Sequence, residues 1–135
     1  MTKRRQHIFL IESCVAVLLI VLYACAPAIH PNAVSQLDST TYDALITANA
    51  AINQAKADVA AGTLPASATQ VVNDTVAAYN TARGAWLTYR HTVESLAPGA
   101  AAPAAETAAL EAALSSLTTA ITNLQNLIKK GGKKP

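Results

Sequence analysis

Aromatic side chains are scarce in this chain of 135 residues: one tryptophan, one phenylalanine and four tyrosines, 4% in all. An interior built without them must rely on aliphatics and alanine. Each buried alanine removes little apolar area from water, so the expected core is thin. No cysteine follows Cys25, which excludes a disulfide or a cysteine metal site in the rest of the chain. His7, His30 and His91 lie far apart, and no two have metal-ligand spacing. Glycine is rare, and Gly131-Gly132-Lys133-Lys134 follows a helical pattern instead of joining a strand to a helix, so no phosphate loop is expected. No serine, histidine and acid grouping suggests nucleophilic catalysis. An enzyme is therefore not expected, and neither is a cofactor.

Charge is sparse too, at 13% of residues. Beyond residue 25 the acids are Asp38, Asp43, Asp58, Asp74, Glu94, Glu106 and Glu111. Lys56, Arg83 and Arg90 are the bases that stand among them; Lys129, Lys130, Lys133 and Lys134 gather at the C-terminus. The body is thus net acidic with a basic tail, which argues against a nucleic-acid surface. The tail is suited to weak contact with anionic lipid or acidic cell-wall polymers, or to a solvated end.

What the sequence does have is alanine, which enters a helix without losing side-chain entropy. Three segments carry helical periodicity, and they predict an all-α fold, an antiparallel three-helix bundle, over residues 40–130. The first runs over about 40–61, with Asp38, Ser39 and Thr40 offering N-cap oxygens and Asp43 in the first turn. Leu45, Ala48, Ile52, Ala55 and Val59 form its seam, and Gly62 and Pro65 stop it. The second covers about 68–96, opened by a capping box of Ser67 and Gln70. Val72, Tyr79, Trp86 and Val93 recur every seven residues on one face, widened by Val76 and Leu87. Arg83 and Arg90 flank the rings at spacings of three and four, suited either to covering them with their stems or to cation–π contact. Gly84, in mid-helix, marks either a close crossing or a tolerated cost of about 1 kcal/mol.

Pro98-Gly99 ends the second segment, and Pro103 suits the first position of the third, at 103–130. Leu110, Leu114, Leu117, Ile121, Leu124 and Ile128 alternate by four and three. This heptad seam is either the inside of a bundle or an intermolecular coiled coil in a homo-oligomer. Two other amphipathic helices with short connections favour the bundle. The first helix is the shortest, so the far ends of the other two are expected to project and to favour self-association. Asn73-Asp74-Thr75 matches a glycosylation sequon by chance, inside a helix.

The N-terminus is organised differently. Lys3, Arg4 and Arg5 precede an apolar run that closes on Leu22-Tyr23-Ala24-Cys25. Glu12 limits the uninterrupted stretch to about 13 residues, within the range of a signal h-region and short of the roughly 20 a spanning helix prefers. A cleaved export signal over 1–24 is therefore favoured over a signal anchor. Ala24-Cys25-Ala26 offers an ordinary cleavage site, but Pro27 would then follow the cut and disfavours it; Ala26-Pro27-Ala28 offers another ordinary site. Residues 25–39, with Pro27, Pro31 and His30, read as an extended tether, and His30 as a solvated loop residue.

Leu22-Tyr23-Ala24-Cys25 resembles the lipobox of bacterial lipoproteins, with an aliphatic residue at −3, a small one at −1 and then cysteine. Tyr23 departs from the small residue the family carries at −2. The resemblance covers the leader alone. It implies that Cys25 is the lipidation site, acylated on its thiol, and that Ala24 is the last residue removed. Membrane lipid would then be a partner through the Cys25 acyl chains. Ala26, in place of the aspartate that retains many lipoproteins at the inner membrane, implies outer-membrane placement in a cell with two membranes and the cell membrane otherwise. The expected function is that of an exported, membrane-anchored lipoprotein of the cell envelope, structural or interacting with an envelope protein. Two alternatives stay open: a bitopic inner-membrane protein with an exported helical domain, and a helical module that holds a small apolar ligand near Trp86.

Overall fold

The computed structural model describes residues 29–131, with side chains as far as Lys130. Cys14, Cys25, the leader, Lys133 and Lys134 lie outside the described residues. Three helices follow one another: α1, Gln36–Ala60; α2, Ala68–Glu94; and α3, Ala104–Gly131. They pack as an all-α three-helix bundle. Antiparallel order is visible in the contacts. Trp86, late in α2, meets Asp38, early in α1, and Val72, early in α2, meets Ala55, late in α1. The α2–α3 contact is the most extensive, and α1 lies mainly against α2. No helix among the described residues is long and apolar enough to cross a membrane.

Helix α1 starts at Gln36, earlier than the oxygens of Asp38, Ser39 and Thr40 suggested. Ser35 is the N-cap: its backbone is extended and its Oγ accepts the Asp38 N–H at 3.0 Å. Part of the expected tether is therefore helix. The three helices contain 25, 27 and 28 residues, or about 38, 41 and 42 Å at 1.5 Å per residue. That near equality removes the expected projection of α2 and α3 beyond a short partner.

The C-terminus of α1 closes as its sequence predicts. Gly62 takes φ +72°, a conformation that a Cβ would strain. The Thr63 N–H then reaches the Asp58 carbonyl at 3.0 Å and the Gly62 N–H reaches Val59 at 3.1 Å, the two bonds of a Schellman motif. The capping box at α2 does not form. Ser67 lies in the right-handed helical region, with no side-chain cap bond. Backbone bonds from Ala68 to Pro65 and from Thr69 to Ala66 already wind the chain there, and a helical N-cap points its hydroxyl away from the orphan N–H groups. Gln70 donates to Asp74 instead, at 2.7 Å. At α3, the Pro103 carbonyl accepts from the Thr107 N–H at 3.1 Å, so Pro103 precedes the helix by one residue.

The core runs along all three helices. Leu45, Ala48, Ile52 and Ala55 of α1 are buried, as are Leu110, Leu117 and Leu124 of α3. Leu114, Ile121 and Ile128 are half-buried, so the heptad seam packs inside the bundle. Helix α2 departs from expectation. Its most buried positions are Ala68, Val72, Thr75, Ala82 and Tyr89, while Tyr79 and Trp86 are half-buried. Leu87, expected to widen the apolar face, is 45% exposed. Tyr79, Trp86 and Val93 form one rail of a double seam, and Thr75, Ala82 and Tyr89 form the other. The second rail is built partly from small and polar residues that barely register as apolar. Thr75 serves there by donating its hydroxyl to the Val71 carbonyl at 2.7 Å, with the α3 carbonyl of Ala120 at 3.5 Å.

Gly84 does not mark a close crossing, because an added Cβ there meets nothing within 4 Å. Gly84→Ala is expected to raise the free energy of unfolding by about 0.5–1 kcal/mol, the helix-propensity difference alone. Urea unfolding followed by circular dichroism checks this.

Candidate functional site

Two features converge on Trp86. The first is a polar clasp at the start of α1. Asp38 stands three residues into the helix, where the dipole favours an acid. It is nonetheless 1% exposed, and a buried carboxylate needs hydrogen-bond donors. Two groups supply them, and an arginine adds an ion pair. The Val34 N–H donates to Oδ2 at 2.9 Å, Trp86 Nε1–H donates to Oδ1 at 2.5 Å, and Arg90 Nε stands 3.8 Å from Oδ2.

Arg90 is shared among several groups. Its Nη2 pairs with Glu94 at 3.0 Å and donates to the Asn32 carbonyl at 3.3 Å, and its guanidinium lies 5.6 Å from the Trp86 ring centroid. Of the two arrangements open to Arg90, the cation–π contact is present. Asn32 itself takes φ +69°, a left-handed conformation that asparagine tolerates better than most residues. Ser35 Oγ and the Tyr89 hydroxyl share a bond of 2.9 Å. Residues 32–35, through which the chain enters the bundle, are thereby fastened to the last turns of α2. Both Asp38 oxygens are engaged by donors, which suits the carboxylate to holding the fold and not to taking a proton from a substrate.

The second feature is a groove of about 180 Å³ between α1 and α2. Tyr42, Ile46 and Asn49 form one wall, with buried Leu45 beneath them; Tyr79, Arg83 and Trp86 form the other. The Tyr42 and Trp86 rings are 6.1 Å apart and tilted by 42°, within the range of favourable aromatic pairs. Ile46 is 52% exposed and Tyr42 44% exposed. The indole belongs to both features: its N–H is tied to Asp38 while its ring walls the groove.

The expected site residues fare unevenly. Cys25 is outside the described residues, as are Lys133 and Lys134, whereas Lys129 and Lys130 are exposed in the last turn of α3. His91 is exposed. Among the described residues no grouping of histidine, cysteine, aspartate or glutamate could hold a metal ion. The aromatic stripe of Tyr79 and Trp86 faces the groove as well as the core. Sequence reasoning missed the other wall, although Tyr42 and Ile46 are spaced by four and fall just off the α1 seam. It also took Asp38 for a cap, because its burial depends on Trp86, 48 residues away. Compared with known protein families, characterised proteins and solved structures, the chain matches none.

Proposed function

We propose that this protein is a membrane-anchored lipoprotein of a bacterial cell envelope, acylated on Cys25, whose helical bundle has a non-catalytic structural or interaction role. The observation that carries this reading is Leu22-Tyr23-Ala24-Cys25, placed after a basic N-terminus and a short apolar run. The thiol of Cys25 is the acyl acceptor. Each buried methylene of the attached chains contributes about 0.8 kcal/mol of membrane affinity, so two or more chains make the attachment stable. Ala26 in the position after Cys25 is consistent with transfer to the outer membrane where there is one. Lysines at the C-terminal end add at most ~1 kcal/mol each against an anionic surface.

The bundle suits that arrangement mechanically. A domain held by its N-terminal segment takes any pull at its first residues. Here the first residues of the bundle are clasped to α2 by the Trp86–Asp38, Ser35–Tyr89 and Arg90–Asn32 bonds, so tension would be borne by hydrogen bonds across two helices and not by the frayed end of one.

The test is the intact mass of membrane-extracted protein, with palmitate labelling and globomycin treatment alongside. The expected mass is that of the chain from Cys25 plus its acyl groups, with precursor accumulating under globomycin. Cys25→Ser is expected to abolish the label. A protein that keeps its leader and takes up no palmitate would overturn the lipoprotein reading in favour of a bitopic anchor.

A further inference from the structure

Trp86 is the chain's only tryptophan, and it walls a groove whose lining combines three aromatic rings with a cation. We propose that this groove binds a small aromatic anion, a single-ring arylcarboxylate, with its ring against Tyr42, Tyr79 and Trp86 and its carboxylate on Arg83. This goes beyond the anchoring through Cys25 and does not depend on it.

Size sets the class. The volume of about 180 Å³ is close to the roughly 150 Å³ of an apolar cavity that takes up benzene, and well below the ~300 Å³ or more of sites for drug-sized molecules. A single ring fills a groove of that volume, and a larger molecule would project from its open side. The lining sets the chemistry. Tyrosine and tryptophan faces favour offset or edge contacts with another ring, and Ile46 and Leu45 supply apolar packing.

Arg83 sets the charge. It is exposed, lines the groove, and makes no ion pair or hydrogen bond among the described residues. Arg90, seven residues on, is by contrast engaged with Asp38, Glu94 and Asn32. An exposed guanidinium at the groove can hold an anionic ligand through two parallel N–H bonds. Asn49, on the opposite wall, adds an amide donor at the same groove. Preorganisation comes from the clasp. The Asp38 bond to Trp86 Nε1 holds the indole in place before any ligand arrives, which lowers the ordering cost of binding.

The experiment titrates the full chain in phosphatidylcholine nanodiscs, following Trp86 emission. The probes are 3-phenylpropionate, its neutral analogue 3-phenylpropanol, and octanoate. Saturable change with 3-phenylpropionate is expected, at least tenfold weaker with phenylpropanol and with octanoate. Arg83→Gln is expected to weaken 3-phenylpropionate binding about tenfold or more, with the helical circular dichroism signal unchanged because Arg83 is exposed and makes no hydrogen bond or ion pair among the described residues. Tyr42→Ala weakens acid and alcohol alike. Equal binding of acid and alcohol, undiminished binding to Arg83→Gln, tighter binding of octanoate, or no saturable change up to the solubility limit would each overturn the proposal.

Discussion

Asp38→Ala is expected to lower the free energy of unfolding by about 3 kcal/mol. The carboxylate accepts from the Val34 N–H and from Trp86 Nε1–H, and hydrogen bonds to a charged group contribute about 1.5–3 kcal/mol each. The ion pair with Arg90 adds little, because Nε is 3.8 Å away and the arginine side chain is 30% exposed. Two terms offset the loss. Alanine is the better helix former by up to about 0.7 kcal/mol, and the cost of burying a charge disappears. The first is roughly cancelled by the dipole interaction an acid gains near a helix N-terminus.

Asp38→Asn keeps the shape and one acceptor, so its expected cost is smaller, about 1–2 kcal/mol. Urea unfolding read by far-ultraviolet circular dichroism measures both variants, independently of the altered indole. A double-mutant cycle with Trp86→Phe isolates the Asp38–Trp86 term. A loss below about 0.5 kcal/mol in Asp38→Ala would mean that the clasp fastens nothing, since that is the size of an ordinary surface change.

Leu124→Ala is expected to cost about 3–4 kcal/mol. The side chain is fully buried against Ala55 of α1 and Val72 of α2, with Val59 and Ile128 at the edge. Leucine-to-alanine changes in cores cost about 2.7–5.0 kcal/mol, rising with the cavity that remains. Here the void is poorly refilled from the α1 side, because Ala55 has no atoms beyond Cβ to move into it and Val59 stands only at the edge. The loss is a large share of the roughly 5–15 kcal/mol that holds a typical domain together. Leu114 serves as the control. It lies on the same seam but is half-buried, and its replacement by alanine is expected to cost about half as much or less in the same urea experiment. Equal effects at the two positions would show that the seam is not partitioned as the bundle places it.

Both variants depend on how α2 is used. Trp86 and Tyr79 were legible as an apolar rail because they are large and recur every seven residues. Thr75, Ala82 and Tyr89 were not, since a threonine and an alanine give almost no hydropathy signal, yet they lie deeper. Leu87 shows the converse: a strongly apolar side chain that the rotation of α2 leaves facing solvent. The groove was half legible. Its α2 wall lay in the aromatic stripe. Its α1 wall, Tyr42 and Ile46, needed the pairing of the two helices to become a wall at all.

By itself the sequence determined what is local. Alanine content and the three seams specified helices. Gly62 and Pro65 specified the stop of α1, because a left-handed cap and a missing N–H act within a few residues. The basic, apolar and cysteine order of the leader specified the expectation at Cys25. Only the tertiary structure decided where α1 begins, which rail of α2 is deepest, and that Asp38 is buried on an indole 48 residues away. Those outcomes turn on which faces meet when three helices pack. Several rotations of an alanine-rich helix bury nearly the same apolar area, so hydropathy alone cannot choose among them, and a few polar bonds across the interface can.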